Sequence, residues 1–301
     1  MNITSASPKT PSTSRRWLRI VFGWIPGLAP GAMAGLCMLL LVAMLIAITP
    51  LWSGFDPYRQ SIIKADLWPF SHAGQRYHLF GTDSLGRDYL SRIAVGAGVS
   101  ALIGLASVTI ALVIGLFLGL CAGYFRGWIE TLVMGVADLQ LAIPRILFLI
   151  AITAAVGPSI LNLTLILGLT SWVAYGRVAR AISLSLRERE FVLAARTHGA
   201  SATWNIRKHL LPNVLPQMII IATYELGQVI ILEASLSYLG VGIQPPTPSL
   251  GMMVAEGQNY LRLNPWLSIL PGLVLFLMVA GSQFLSQGFT SEGRDDGFGG
   301  R

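Results

Sequence analysis

Residues 188–213, EREFVLAARTHGASATWNIRKHLLPN, carry the strongest structural pattern in this sequence. A helical pattern runs through Ala194 and Ala195 and is interrupted at Gly199, which can adopt the positive φ angle found after many helices. Ser201 then offers the hydroxyl group of a helix N-cap. The pattern predicts two short helices hinged at Gly199, and we call this segment the knob.

The second helix of the knob is predicted to stop at Pro212, because proline has no N–H group and cannot continue a helix that precedes it. Ala194, Ala195 and Gly199 leave the tip of the knob without bulk. A loop that only connects two helices needs neither the hinge nor the small tip. The knob is therefore suited to seat in a groove of another protein.

Long apolar runs lie on both sides of the knob. The chain has 301 residues, of which 53% are hydrophobic and 12% are charged, whereas about a quarter of a soluble domain is charged. Several runs reach the roughly 20 residues that a helix needs to cross a bilayer. The sequence thus predicts an all-α membrane protein with six transmembrane helices at 29–51, 96–124, 137–157, 159–177, 214–237 and 266–288.

The basic residues set the predicted orientation, since cytoplasmic loops carry the excess of Lys and Arg. With six spans, fourteen Lys and Arg residues lie on the same side of the membrane as the two termini, and six lie on the other side. Both termini are therefore predicted to be cytoplasmic. The predicted regions are a cytoplasmic tail at 1–28, a transmembrane domain at 29–288, external loops at 52–95 and 238–265, a cytoplasmic loop at 178–213 and a cytoplasmic tail at 289–301.

The N-terminal tail is predicted to include a short interfacial helix over 15–24, RRWLRIVFGW, with a plain basic flank as the alternative. The first apolar run lacks a signal-peptide cleavage site, so we expect it to persist as an anchor. The net charge of +7 lies mainly beside the spans, which argues against nucleic-acid binding. Cys37 and Cys121 fall within apolar runs and are interpreted as packing residues.

Small residues repeat along the second predicted helix, nearly all at intervals of four. In lipid this spacing lets helix backbones approach each other closely. The pattern predicts one densely packed face but does not identify the helix that packs against it. The stripe consists of Gly96, Ser100, Gly104, Ala111, Gly115, Gly119 and Gly123.

Three segments resemble one known family. The knob is similar to the EAA loop of ATP-binding-cassette importer permeases, in which two alanines are followed after four residues by glycine and later by Leu-Pro. The segments FGTDSLGRDYLSRIAVGAGVSALIG, 80–104, and EASLSYLGVGIQPPTPSLGMMVAEG, 233–257, resemble signatures of the peptide/nickel branch of that family. Leu193, His209 and Gly98 depart from its usual pattern.

This resemblance implies a type I importer permease fold of the second-permease type. It also implies a bacterial inner-membrane location and four kinds of partner: a second permease, two ATPases, an external binding protein and membrane lipid. ATP and Mg would bind to the ATPases, and we expect no cofactor, metal or enzymatic activity in this chain, which has no GxxxxGK[ST] motif. The residues expected to contact an ATPase are Glu190, Ala194, Ala195, Gly199, Ala200, Leu211 and Pro212.

Ionisable residues inside the predicted spans are functional candidates, because burying a charge in lipid is costly. Glu225 lies near the middle of the fifth span, and with Gln228 and Glu233 it is a candidate to line the translocation pathway for peptides or related solutes. A structural hydrogen bond between helices is the alternative for Glu225. Asp138 and Arg145 either pair across a proline kink or extend separately toward the helix end.

Two other functional classes are compatible with six apolar spans. An ion-gradient-driven secondary transporter would also use a buried carboxylate, but it needs no knob and often shows two related halves, which this sequence lacks. A membrane scaffold would need no intramembrane charge. Co-purification with ATPase subunits separates the importer from both alternatives.

Overall fold

The computed structural model describes residues 30–51, 55–73 and 76–295. The predicted interfacial helix at 15–24 lies outside these residues. Two short 3₁₀ turns, Thr49–Leu51 and Ile62–Lys64, and an antiparallel hairpin of β1 (Ser71–Ala73) and β2 (Arg76–His78) interrupt an otherwise helical chain. The helices are α1 Pro30–Ile48, α2 Tyr89–Phe125, α3 Gly127–Leu141, α4 Arg145–Val156, α5 Ile160–Thr170, α6 Trp172–Arg187, α7 Glu190–Thr197, α8 Ala202–Asn205, α9 Leu211–Tyr238, α10 Leu250–Gln258 and α11 Trp266–Asp295.

Within the described ranges, four helices are long and apolar enough to cross a membrane, or five if α3 and α4 form one bent span. The all-α membrane architecture is thereby confirmed, while the count of six spans stays a prediction. The single helix predicted at 137–157, with a kink at Pro144, is wrong, because α3 and α4 are separate helices that meet at 90°. Pro144 precedes α4 and has an extended ψ angle of 121°, which ends helical continuity there.

The predicted helix at 159–177 is also divided. α5 ends before Ser171, and α6 continues to Arg187, well beyond the predicted end. α2 begins at Tyr89 instead of 96, because the carboxylate of Asp88 accepts a hydrogen bond from the backbone N–H of Ser91 at 2.9 Å and caps the helix. α11 runs past its predicted end at 288 to Asp295.

α2 is the central helix, and its stripe of small residues packs against three different elements. A Cβ atom added to Gly96 would lie 3.3 Å from the backbone of Leu250, which begins α10. At Gly104 the same atom would lie 3.0 Å from Leu226 of α9. The last three glycines of the stripe lie against the backbone of α6 and are Gly115, Gly119 and Gly123.

The described part of the predicted loop at 52–95 folds against the start of α2. The buried carboxylate of Asp83 accepts backbone hydrogen bonds from Leu85 and Arg87 at 3.0 and 2.8 Å and pairs with the guanidinium groups of Arg87 and Arg92. The ring of Trp68 packs on that of Trp266 of α11 in a tilted arrangement, with ring centroids 4.1 Å apart. The described part of this loop is therefore folded and packs against the helices.

Candidate functional site

The knob contains the two helices that its sequence predicts, α7 and α8. Gly199 separates them with a φ angle of +83°, in the left-handed region that favours glycine. The hydroxyl of Ser201 caps α8 by accepting a hydrogen bond from the backbone N–H of Trp204 at 3.2 Å. The local predictions for the hinge and the cap are thus confirmed.

The predicted stop at Pro212 is wrong. α8 continues through a π-helical turn, Ile206–Leu210, directly into α9, so that Ala202–Tyr238 forms one helix of 37 residues. In the π turn, the N–H of Leu211 bonds to the carbonyl of Ile206, five residues earlier. The wider turn makes room for the proline ring and for its missing N–H, so the helix passes Pro212 unbroken.

The knob is fastened to the helices behind it by apolar packing. Val192 is fully buried and belongs to one cluster with Leu210 and Val214. The imidazole of His209 lies between the rings of Phe191 and Trp204, at centroid distances of 5.3 and 5.1 Å. α7 is therefore packed against the start of the long helix.

The outer surface of the knob combines small residues with exposed apolar ones. Phe191, Leu193 and Trp204 are each 44–47% exposed. Such a surface is typical of a protein contact, since aromatic side chains supply large contact areas at interfaces. Of the residues expected to contact an ATPase, Glu190, Ala194, Gly199 and Pro212 are exposed, and Ala195, Ala200 and Leu211 are partly buried.

A second candidate site is a cluster of polar side chains beside α9, at the break before α4 and the break between α5 and α6. Nη2 of Arg145, at the start of α4, donates to the hydroxyl of Ser171, between α5 and α6, at 2.7 Å. The same atom lies 3.8 Å from Oε2 of Glu225. Asp138 pairs with Arg177 instead, so of the two alternatives for Asp138 and Arg145, the pair across the proline kink is wrong. The 90° bend turns Arg145 away from Asp138 and toward α9.

Glu225 is only 7% exposed, although its partner Arg145 remains partly open. The fully buried Tyr175 of α6 lies close enough to both charges to interact with them electrostatically. Gln228, one turn further along α9, is half-buried. Sequence reasoning missed Tyr175 and Ser171 because each reads as an ordinary residue of an apolar span.

Glu233 lies in a different environment, fully buried inside the helix packing. Its carboxylate accepts hydrogen bonds from the hydroxyls of Ser100 at 2.7 Å, Ser237 at 2.9 Å and Ser249 at 3.1 Å. Ser100 lies in α2, Ser237 lies in α9, and Ser249 is the residue before α10. The structure thus places Glu233 where three elements join, apart from Glu225 and enclosed by its hydrogen-bond partners.

Among the described residues, no group of three or more His, Cys, Asp or Glu side chains is arranged to hold a metal ion.

Residues 115–290 match the family described as binding-protein-dependent transport system inner membrane component. The chain belongs to this family. It is therefore a membrane-spanning permease subunit of an ATP-driven, binding-protein-dependent importer, and nothing in the comparisons supports an ion-gradient-driven carrier.

Curated relatives match most of the chain. The Di/tripeptide transport system permease protein DppC of Pseudomonas aeruginosa is 36% identical, over 86% of each chain. The Dipeptide transport system permease protein DppC of Haemophilus influenzae is 34% identical, over 86% of this chain and 88% of the relative. The Glutathione transport system permease protein GsiD of Pectobacterium atrosepticum is 33% identical, over 85% and 83%.

A solved structure of the MetNI methionine ABC transporter in an inward-facing conformation has a similar fold. One of its chains superposes with a TM-score of 0.52 at 22% identity, over 66% of this chain and 95% of that chain. This likeness concerns the fold alone.

Proposed function

We propose that this permease subunit imports peptides or related small solutes. It does so together with a second, different permease, two ATPases that bind ATP and Mg, and an external binding protein. The names of relatives that cover more than four fifths of this chain support peptides as the substrate class. The choice among dipeptides, tripeptides and glutathione-like compounds depends on the binding protein.

The observation that carries this proposal is the continuity between the knob and α9. α7 packs on the base of a single helix that runs from Ala202 to Tyr238. Glu225 lies in that helix, about 35 Å from Ala202 at 1.5 Å per residue. When the ATPases close on ATP and push the knob, the helix tilts as one body and moves Glu225 against its surroundings.

The knob is on the cytoplasmic side in this proposal, and the folded excursion before α2 is external. Both termini are cytoplasmic, and the subunit resides in the bacterial inner membrane. The excess of Lys and Arg around the knob supports this orientation. The exposed Phe191, Leu193 and Trp204 then face the groove of an ATPase.

Gentle purification and reconstitution test the proposal. A tagged chain should bring down a second permease and ATPase subunits from its native membrane. In proteoliposomes with the binding protein, the complex should take up radiolabelled dipeptide only when ATP is supplied on the knob side. Dissipating ion gradients should leave uptake unchanged, and uptake that follows an ion gradient without ATP would contradict the proposal.

A further inference from the structure

Three buried polar atoms near the middle of the bundle have no hydrogen-bond partner among the described residues. They are Oε2 of Glu225, Nε of Arg145 and the hydroxyl of Tyr175. The side chain of Tyr175 is fully buried and that of Glu225 nearly so. Since buried polar groups in folded proteins are almost always hydrogen-bonded, these three atoms indicate a missing polar partner.

The pair of Arg145 and Glu225 does not satisfy itself. At 3.8 Å the two side chains attract each other electrostatically but share no hydrogen bond. The guanidinium group donates one hydrogen bond to the hydroxyl of Ser171, and its Nε has no hydrogen-bond partner. The pair therefore offers one anionic acceptor and one unused donor, Nε of Arg145. The phenol of Tyr175, which interacts electrostatically with both charges, is a second unused donor.

A ligand that satisfies this cluster must carry a cationic donor and an acceptor close together. The ammonium group of a peptide and the carbonyl oxygen of its first residue are roughly 3 Å apart, by standard backbone dimensions. We propose that Glu225, Arg145 and Tyr175 form a subsite for this N-terminal aminoacyl group during transit. The ammonium group binds to Glu225, and the carbonyl oxygen accepts from Arg145 and Tyr175.

This subsite rests on the proposed import of peptides and adds a contact that does not depend on side chains. Every peptide with a free amino terminus presents the same two groups, so the subsite recognises the main chain and tolerates any first residue. The side chain of Arg145 is 37% exposed, but its Nε and Oε2 of Glu225 are enclosed, so a ligand reaches them only when the surrounding helices move apart during transport. Because Glu225 lies on the helix that the knob moves, motion of the knob changes the separation of the charges and releases the ligand.

The test compares two substrates in the intact importer, reconstituted with its ATPases and binding protein. Uptake of alanyl-alanine is measured against N-acetyl-alanyl-alanine, in which the ammonium charge is removed. The wild type should prefer the free peptide. Glu225→Gln should reduce that preference about tenfold, the size of effect that a hydrogen bond to a charged group confers.

Glu233→Gln is the matched control, since it makes the same chemical change two turns away in the same helix. Its carboxylate is already bound by three serines, so this variant should lower stability and leave the preference for the free peptide unchanged. An equal loss of preference in both variants would overturn the subsite.

Tyr175→Phe provides an independent test if Glu225→Gln fails to assemble. It removes one unpartnered hydroxyl from a fully buried ring, and it should raise the KM for the free peptide several-fold while kcat changes little. An unchanged KM would overturn the subsite, as would an unchanged preference in Glu225→Gln, which also results if a bridging water alone occupies the cluster. Both outcomes leave peptide import standing, whereas an importer that takes up neither peptide contradicts the proposed substrate class and the subsite with it.

Discussion

Gly119 of α2 lies directly against the backbone of Gly176 of α6. A Cβ atom placed on Gly119 would lie 2.5 Å from the carbonyl oxygen of Gly176, which is closer than a Cβ atom approaches a non-bonded oxygen atom. Gly115 and Gly123 make similar approaches one turn before and one turn after. Lipid tails are as apolar as the helices, so close backbone packing of this kind is what holds them together.

Gly119→Ala should therefore destabilise the subunit by about 1–3 kcal/mol, because the added methyl group forces α2 and α6 apart. Thermal unfolding of the purified subunit in detergent measures the change. Gly135→Ala is the control, since Gly135 lies in α3 with open space around an added Cβ atom. The control should be neutral or stabilising by up to about 1 kcal/mol, through helix propensity alone. Equal destabilisation of the two variants would show that the contact is not tight.

Ser100→Ala should also lower stability, through Glu233. The serine hydroxyl donates to Oε2 of the buried carboxylate at 2.7 Å, and its removal leaves that oxygen unsatisfied at a cost of about 1–3 kcal/mol. Ser235→Ala is the control, because Ser235 is only partly buried and its hydroxyl bonds to the carbonyl of Ile231 in its own helix, not to Glu233. If both variants melt at the same temperature, the join at Glu233 contributes nothing to stability.

Local features of the knob were predictable from the sequence. The positive φ angle of Gly199 and the cap at Ser201 depend on residues within one or two turns, and both follow from the chemistry of glycine and serine. The path through Pro212 was not predictable in the same way. The helix continues there through a π turn that packs at Leu210 against Val192, a tertiary contact that a local pattern does not show.

The charged cluster required the tertiary fold. Arg145 and Glu225 are far apart in the sequence, and Asp138 was the obvious nearby partner for the arginine. Pro144 did indicate an interruption, but the apolar run across it has the length of one span. The 90° bend between α3 and α4 becomes visible only in the folded structure. The bend decides which carboxylate Arg145 meets.

The orientation of the subunit can be tested by labelling single cysteines with an impermeant maleimide in intact cells. Cys37 and Cys121 are first replaced by serine. Ile63→Cys, at a side chain that is 98% exposed, should be labelled from outside. Thr203→Cys, exposed on the knob, should be labelled only after the membrane is opened. Labelling of both positions from the same side would contradict the proposed topology.

Gly199→Asp should disconnect the knob from its ATPase. Gly199 is exposed, has a φ angle of +83° and has no atom within 4 Å of an added Cβ. Aspartate at this position strains the backbone and places bulk and negative charge at the tip that would enter a groove. The variant should still insert in the membrane, but it should lose ATPase subunits on purification or hydrolyse ATP without importing substrate.

Gly157→Asp separates coupling from backbone strain. Gly157, between α4 and α5, has a φ angle of +93° and equally open space around an added Cβ atom, so the same substitution imposes a similar strain. It lies on the opposite side of the membrane from the knob in the proposed topology, and this variant should keep its ATPase subunits and its coupling. Loss of ATPase association in both variants would attribute the effect to strain. Normal uptake and normal ATPase binding by Gly199→Asp would remove the coupling role from the knob, because this substitution adds charge, bulk and backbone strain at its tip all at once.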